Sequence, residues 1–154
     1  MPVIALRSCR LFNFDLQMSS VSNINKLIRS FVAKGNFNAI FDPIEVVYAD
    51  DHCLKCRFKV TEKESNSLST LHGGYTSSLV DFISTIDLRR RGVNSSVSVD
   101  LATSFMRAAP VGSWISVESY VLKQGKTLAF CEVNLLDEAT GRLVAKGRHT
   151  KFLS

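Results

Sequence analysis

The sequence predicts an α+β fold in which a long central α-helix is wrapped by a curved antiparallel β-sheet, and three observations carry that prediction. A helical face runs through 72–91, period-two segments follow it, and glycine-containing turns separate the last of them. The helical face consists of Tyr75, Leu79, Phe82, Ile83 and Ile86 and ends in Arg89-Arg90-Arg91-Gly92. Basic residues in a last turn with glycine just beyond are an ordinary helix stop. Val97, Val99 and Leu101 then alternate with Ser98, Asp100 and Ala102, and further strands are predicted at 113–122, 126–137 and 142–153. Gly112, Gln124-Gly125 and Ala139-Thr140-Gly141 are the breaks of an antiparallel meander. The helix would be about 30 Å long and the strands ~33–40 Å, so one helix can lie along one face of one sheet.

Upstream, Ile24, Leu27, Ile28, Phe31 and Val32 fall at helical spacing, with Ser22 or Asn23 as N-cap and Gly35 as stop. A connector over 37–41 leads to Asp42-Pro43. Strands at 44–49 and 53–60 form a hairpin about Asp50-Asp51, and 61–70 reads as a polar loop. Residues 21–154 form a single domain, and 1–20 are an N-terminal extension with a possible targeting role. At 154 residues, 45% hydrophobic, such a chain buries roughly two thirds of its unfolded surface and needs no metal or disulfide staple.

The net charge of +5 invites an anionic polymer as partner. Its distribution argues otherwise. Residues 1–41 carry five basic groups against Asp15 alone, leaving 14 basic and 13 acidic groups in the rest. The excess belongs to the leader and first helix, which carry no recognised nucleic-acid motif. The arginines and scarce acids of the leader predict a mitochondrial or cytoplasmic protein. No apolar stretch reaches the ~20 residues of a membrane-spanning helix, so no membrane insertion is expected.

Cys53-Leu54-Lys55-Cys56 is the one close cysteine pair. Positions three apart on a strand face opposite sides, and no second ligand pair completes a zinc site. Cys9, Cys53, Cys56 and Cys131 therefore read as small apolar residues, and neither metal nor cofactor is expected.

The segment Asn66 to Gly74, followed by Asp81, carries the chemistry. Gly73 and Gly74 at a helix start let a ligand approach free N–H groups at the positive end of the helix dipole; equally, they permit a tight helix entry against the sheet. Asp81 lies mid-helix among Ser77, Ser78, Ser84 and Thr85. Either it is enclosed beside a hydrogen-bonded water or ligand, since an isolated buried carboxylate costs several kcal/mol, or it sits on a solvated face. A serine-hydrolase triad with His72 lacks the G-x-S-x-G elbow, and a histidine before two glycines is suited to fixing the turn.

Asn66, Leu71-His72-Gly73-Gly74, Leu79-Val80-Asp81, Ile83-Ser84-Thr85, Val97-Ser98-Val99-Asp100, the run from Val121 to Phe130 and Gly147-Arg148-His149-Thr150-Lys151 resemble the hotdog-fold acyl-CoA thioesterases over about 20–153. The resemblance implies a six-stranded sheet around the 72–91 helix, a homodimer forming the active site and a homotetramer of two such dimers. It implies that the Asn66 side chain and the Gly73 N–H bind the thioester carbonyl. Asp81 of the other subunit would act as general base or nucleophile, Ser98 would hold the attacking water and His72 would support the loop. Ser69 departs from the pattern, standing where the family has a glycine.

The implied activity is hydrolysis of medium- or long-chain fatty acyl-CoA to fatty acid and CoA. The CoA moiety, part of substrate and product, needs basic groups on an exposed rim. Arg107, Lys123, Lys126, Arg148 and Lys151 are the candidates, with Gly74 also at the substrate; their other reading is solubilising charge. The alternative is a non-catalytic acyl-CoA sensor of the same fold, which would have no need of Asp81.

Overall fold

The computed structural model describes residues 20–154; the leader, its targeting role and Cys9 lie outside them. Helix α1 (Val21–Val32) starts at Ser20, whose hydroxyl caps the Asn23 N–H. It buries Ile24 and Ile28 completely, each contributing roughly 1.5–3 kcal/mol. Asn25 ties this helix to the sheet by accepting the Val46 N–H at 3.0 Å. The predicted connector is a 3₁₀ turn, Phe37–Phe41, and a second one, Glu62–Glu64, sits in the polar loop. The second is closed by a capping box in which the Glu64 carboxylate accepts from Thr61.

The strands are β1 (Glu45–Ala49), β2 (Leu54–Lys59), β3 (Ser96–Phe105), β4 (Trp114–Gln124), β5 (Leu128–Asp137) and β6 (Leu143–Leu153). They form one antiparallel sheet in the order β1-β2-β4-β5-β6-β3. Helix α2 (Gly73–Arg90) packs on its inner face with Leu79, Val80, Ile83 and Ile86 buried. The α+β hotdog arrangement is thus the observed one, with element ends within two or three residues of those predicted.

Alternation along β6 decides what faces α2. Ala145, Gly147, His149 and Lys151 are buried, whereas Arg148 and Phe152 are exposed on the outer face. The Cys56 and Cys131 thiols are buried on the same inner side. Burial pushes the Cys131 thiol up to about 12 and Cys56 higher still.

The three arginines at the end of α2 do more than stop the helix. Arg90 and Arg91 donate from Nε to the fully buried Asp87 carboxylate at 2.7 and 3.1 Å, and Ser119 donates to its other oxygen at 2.9 Å. Arg91 also donates to the Asp51 carbonyl at 2.7 Å. A charge at Asp87 is tolerable only with such partners.

Candidate active site

The loop before α2 is built around Asn66. Its Oδ1 accepts from the Leu68 N–H at 2.9 Å and from the Thr70 N–H and hydroxyl at 3.2 Å. The acceptor is used by the loop, and the Nδ2 amide has no partner among the described residues. Ser69, at the tip, has φ 55°, a left-handed conformation that favours glycine, so the departure from the family pattern falls on a strained position.

His72 is the N-cap of α2. Its Nδ1 accepts the Gly74 N–H at 2.8 Å while its own N–H donates to the Glu64 carbonyl at 2.8 Å. The turn-fixing reading of His72 is the observed one. The Gly74 N–H is taken up by this cap, so Gly74 has no free backbone donor to offer a substrate. The Gly73 N–H has no partner among the described residues and points from the positive helix end.

Two turns further on, Asp81 opens onto a groove of about 350 Å³ lined by the aromatic Phe31, Phe37, Phe41 and Phe82 and by the polar Ser78, Thr85, Ser98 and Lys151. The Phe41 and Phe82 rings stack at 4.4 Å, giving the groove a fixed apolar wall. Its side chain is 47% exposed, so Asp81 is neither enclosed nor on a solvated face but at the groove mouth.

The contacts of its carboxylate fall on Oδ1. Lys151 Nζ lies at 3.1 Å, Thr85 Oγ1 at 3.4 Å, Ser98 Oγ at 3.5 Å and His149 Nδ1 at 3.6 Å. Oδ2 has no partner among the described residues.

A β-bulge between Ser98 and Asp100 sets this geometry by placing Ser98 opposite Lys151 and Leu101 opposite His149. Bulges re-aim side chains in this way. His149 bridges two hydroxyls, Ser84 Oγ to Nδ1 at 2.8 Å and Ser98 Oγ to Nε2 at 3.0 Å. Burial and then the Lys151 ammonium push its imidazole down to about 4, against the pull of Asp81 and Asp100, so the ring is neutral at neutral pH. Ser84 donates its proton to the Val80 carbonyl at 2.7 Å. It must therefore accept from Nδ1–H, which makes Nε2 the acceptor of the Ser98 proton. The Ser98 lone pairs are left for a further donor, as a bound water would be.

Sequence reasoning missed His149, and it misplaced Lys151. That lysine is 3% exposed and lies in the groove, not on the rim, because odd positions of β6 face the helix. Arg148 is exposed on the outer face, opposite in direction to Asp81. Arg107 donates to the Leu143 carbonyl at 2.8 Å and ties a loop to β6. Lys123 and Lys126 are exposed around the β4–β5 turn, at the end of the sheet where Ala129 pairs with Lys151.

Gly73 and Asp81 are eight residues apart on one helix, about 12 Å along its axis. A reacting carbonyl must lie ~3 Å from both its donors and its attacking group. One chain's Gly73 N–H and Asp81 carboxylate therefore do not both lie within ~3 Å of one reacting atom. Strand β3 is an edge of the sheet with Val97, Val99 and Phe105 at 62%, 60% and 59% exposure, an edge that needs covering.

A family model for the thioesterase superfamily matches residues 68–144. The chain is 42% identical over 137 residues to human acyl-coenzyme A thioesterase 13, covering 88% of this chain and 97% of that protein. The crystal structure of zebrafish thioesterase superfamily member 2 superposes with TM-score 0.83 at 39% identity, covering 88% of this chain and 99% of the other. For member 2 from Mus musculus the values are 0.80 and 40%, with 87% and 97% covered. Sequence and fold together place this chain in the thioesterase superfamily.

Proposed function

We propose that the protein hydrolyses medium- or long-chain fatty acyl-CoA to fatty acid and CoA at a site shared between two subunits. The observation that carries this reading is the carboxylate of Asp81, with one oxygen held and the other open, beside a groove whose aromatic wall suits an acyl chain. In the proposed dimer the exposed β3 edge meets a second copy, bringing Asn66 and Gly73 of one subunit toward Asp81 of the other. A second exposed apolar group on the outer face, Leu122, Phe130 and Phe152 at 59%, 40% and 46% exposure, supports two dimers packing as a tetramer.

A water held by Ser98 gives a proton to Asp81 Oδ2 as its oxygen attacks the thioester carbon. The carbonyl oxygen takes up the negative charge, and the Asn66 Nδ2 amide and the Gly73 N–H donate to it. One such donor is worth about 3–4 kcal/mol in the transition state. When the tetrahedral adduct collapses, the C–S bond breaks and CoA leaves as thiolate, a good enough leaving group that no strong acid is required. Lys123 and Lys126 on the exposed turn meet the CoA phosphates.

Thiol release from an acyl-CoA chain-length series tests this with wild type and Asp81→Asn. The variant is expected to lose roughly 10²–10⁴-fold in rate while still binding CoA. Equal rates would contradict the role of Asp81, and tight binding without turnover by wild type would favour a sensor.

A further inference from the structure

Lys151 is the feature that neither the expected rim role nor the proposed chemistry accounts for. A lysine only 3% exposed gives up its hydration, and such a group persists when paired and hydrogen-bonded. Its ammonium donates to the Asp81 carboxylate, at 3.1 Å, and to Thr85 Oγ1, at 2.6 Å. The Thr85 hydroxyl donates to the Asp81 carbonyl at 2.7 Å, so its oxygen is free to accept from the ammonium. Lys151, Thr85 and Asp81 form a closed triangle, anchored to β6 at one corner and to adjacent turns of α2 at the other two.

We propose that Lys151 is a positioning residue for Asp81: its ammonium, fixed by Thr85, grips Oδ1 and thereby turns Oδ2 toward the water that attacks the thioester. This deepens the thioesterase reading above and rests on it. The atom-level pattern carries the argument. A carboxylate left to rotate about its Cβ–Cγ bond presents either oxygen. Here the cation, Thr85, Ser98 and His149 all lie on the Oδ1 side, which leaves one oxygen, in one orientation, for proton transfer. Among these four only Lys151 is a full positive charge, and a charge-assisted hydrogen bond is about twice as strong as a neutral one. Ser98, opposite Lys151 across the β3–β6 ladder, holds the water on the side that the bulge sets.

The placement of Lys151 also separates it from CoA recognition. A phosphate-binding lysine must reach the exposed rim, whereas this side chain ends in the groove wall against α2. Its loss should therefore appear in the chemical step and not in binding.

The experiment is steady-state thiol release from lauroyl-CoA by Lys151→Met, Thr85→Val and Asp81→Asn, with thermal melting of each variant. Methionine keeps the length of the lysine stem, and the exposed half of Asp81 stays solvated, so the variant is expected to melt as wild type does. The expected result is a fall in kcat of at least roughly tenfold for Lys151→Met with KM within about threefold, since a small misplacement of a reacting group can cost 10²-fold. Thr85→Val, which removes the second tether, is expected to show a smaller fall in kcat alone. Wild-type kcat in Lys151→Met, or a rise in KM larger than the fall in kcat, would overturn the proposal. If Lys151→Met lacks a folded melting transition, Thr85→Val decides, and an unchanged kcat there overturns it. Asp81→Asn separates the two readings: activity at the wild-type rate refutes the thioesterase mechanism, whereas loss in Asp81→Asn with wild-type kcat in Lys151→Met refutes only the positioning role.

Discussion

Gly147 on β6 lies directly beneath Val80 on α2, so close that a Cβ on Gly147 would meet the two Val80 methyl carbons at 2.4 and 2.5 Å. The missing side chain sets the depth at which the helix rests on the sheet. Val80 is the neighbour of Asp81, and Gly147 is two residues from His149 and four from Lys151. The close approach therefore fixes the distance between the carboxylate and the groups of β6 that touch it.

Gly147→Ala is expected to lift α2 from the sheet. Overpacking of this kind costs about 1–3 kcal/mol, equivalent to a melting temperature lower by roughly 2–12 °C at this chain length. Thiol release should fall as well, because Asp81 moves away from Lys151. Calorimetry beside the activity assay checks both; an unchanged melting temperature would show that the contact is relieved by a small shift elsewhere.

Ser69 supplies the converse case, a position where a side chain is present and the backbone favours its absence. Its φ of 55° costs a residue with a Cβ roughly 1–2 kcal/mol, and glycine returns part of that gain through greater freedom in the unfolded chain. Ser69→Gly is expected to raise stability by about 0.5–1 kcal/mol, read from urea unfolding. The Asn66 loop should also hold its Nδ2 amide more firmly.

The buried His149 makes stability depend on pH in a defined direction. Its imidazole is held at about 4 in the folded protein against ~6.5 in the unfolded chain, so the unfolded state binds the extra proton between those values. The contribution is complete above about pH 6.5 and is lost progressively as pH falls toward 4, reaching on the order of 2 kcal/mol at about pH 5. Urea midpoints across this range should fall less steeply for His149→Asn than for wild type. An NMR titration should find the wild-type ring neutral until the pH nears 4.

The strands, the long helix and the turns were legible because their apolar periods differ and glycines separate them. The site was legible only where a residue stands out from its surroundings, as Asp81 does mid-helix among small hydroxylic residues and Gly73 does at the helix start. His149 and Lys151 did not stand out. Along β6 the inward Gly147, His149 and Lys151 alternate with outward Arg148 and Thr150, so both faces are polar and period two cannot say which is buried. Asp87 was hidden for a related reason: its partners Arg90, Arg91 and Ser119 are visible only once α2 and β4 have met. The acceptor role of Asn66 likewise depends on backbone groups that the loop brings together.

The central claim is that each site takes Asp81 from one subunit and the carbonyl donors from the other. Co-expressing Asp81→Asn with Asn66→Asp and measuring thiol release tests it most directly, because aspartate at 66 keeps the loop acceptor and replaces the amide donor with a carboxylate, which cannot donate to the carbonyl oxygen. Each variant alone is expected to be nearly inactive. Random pairing of subunits makes half the dimers mixed, each with one intact site of two, so about a quarter of the wild-type rate should return. No recovery above the sum of the separate variants, with mixed dimers present, would contradict the shared site.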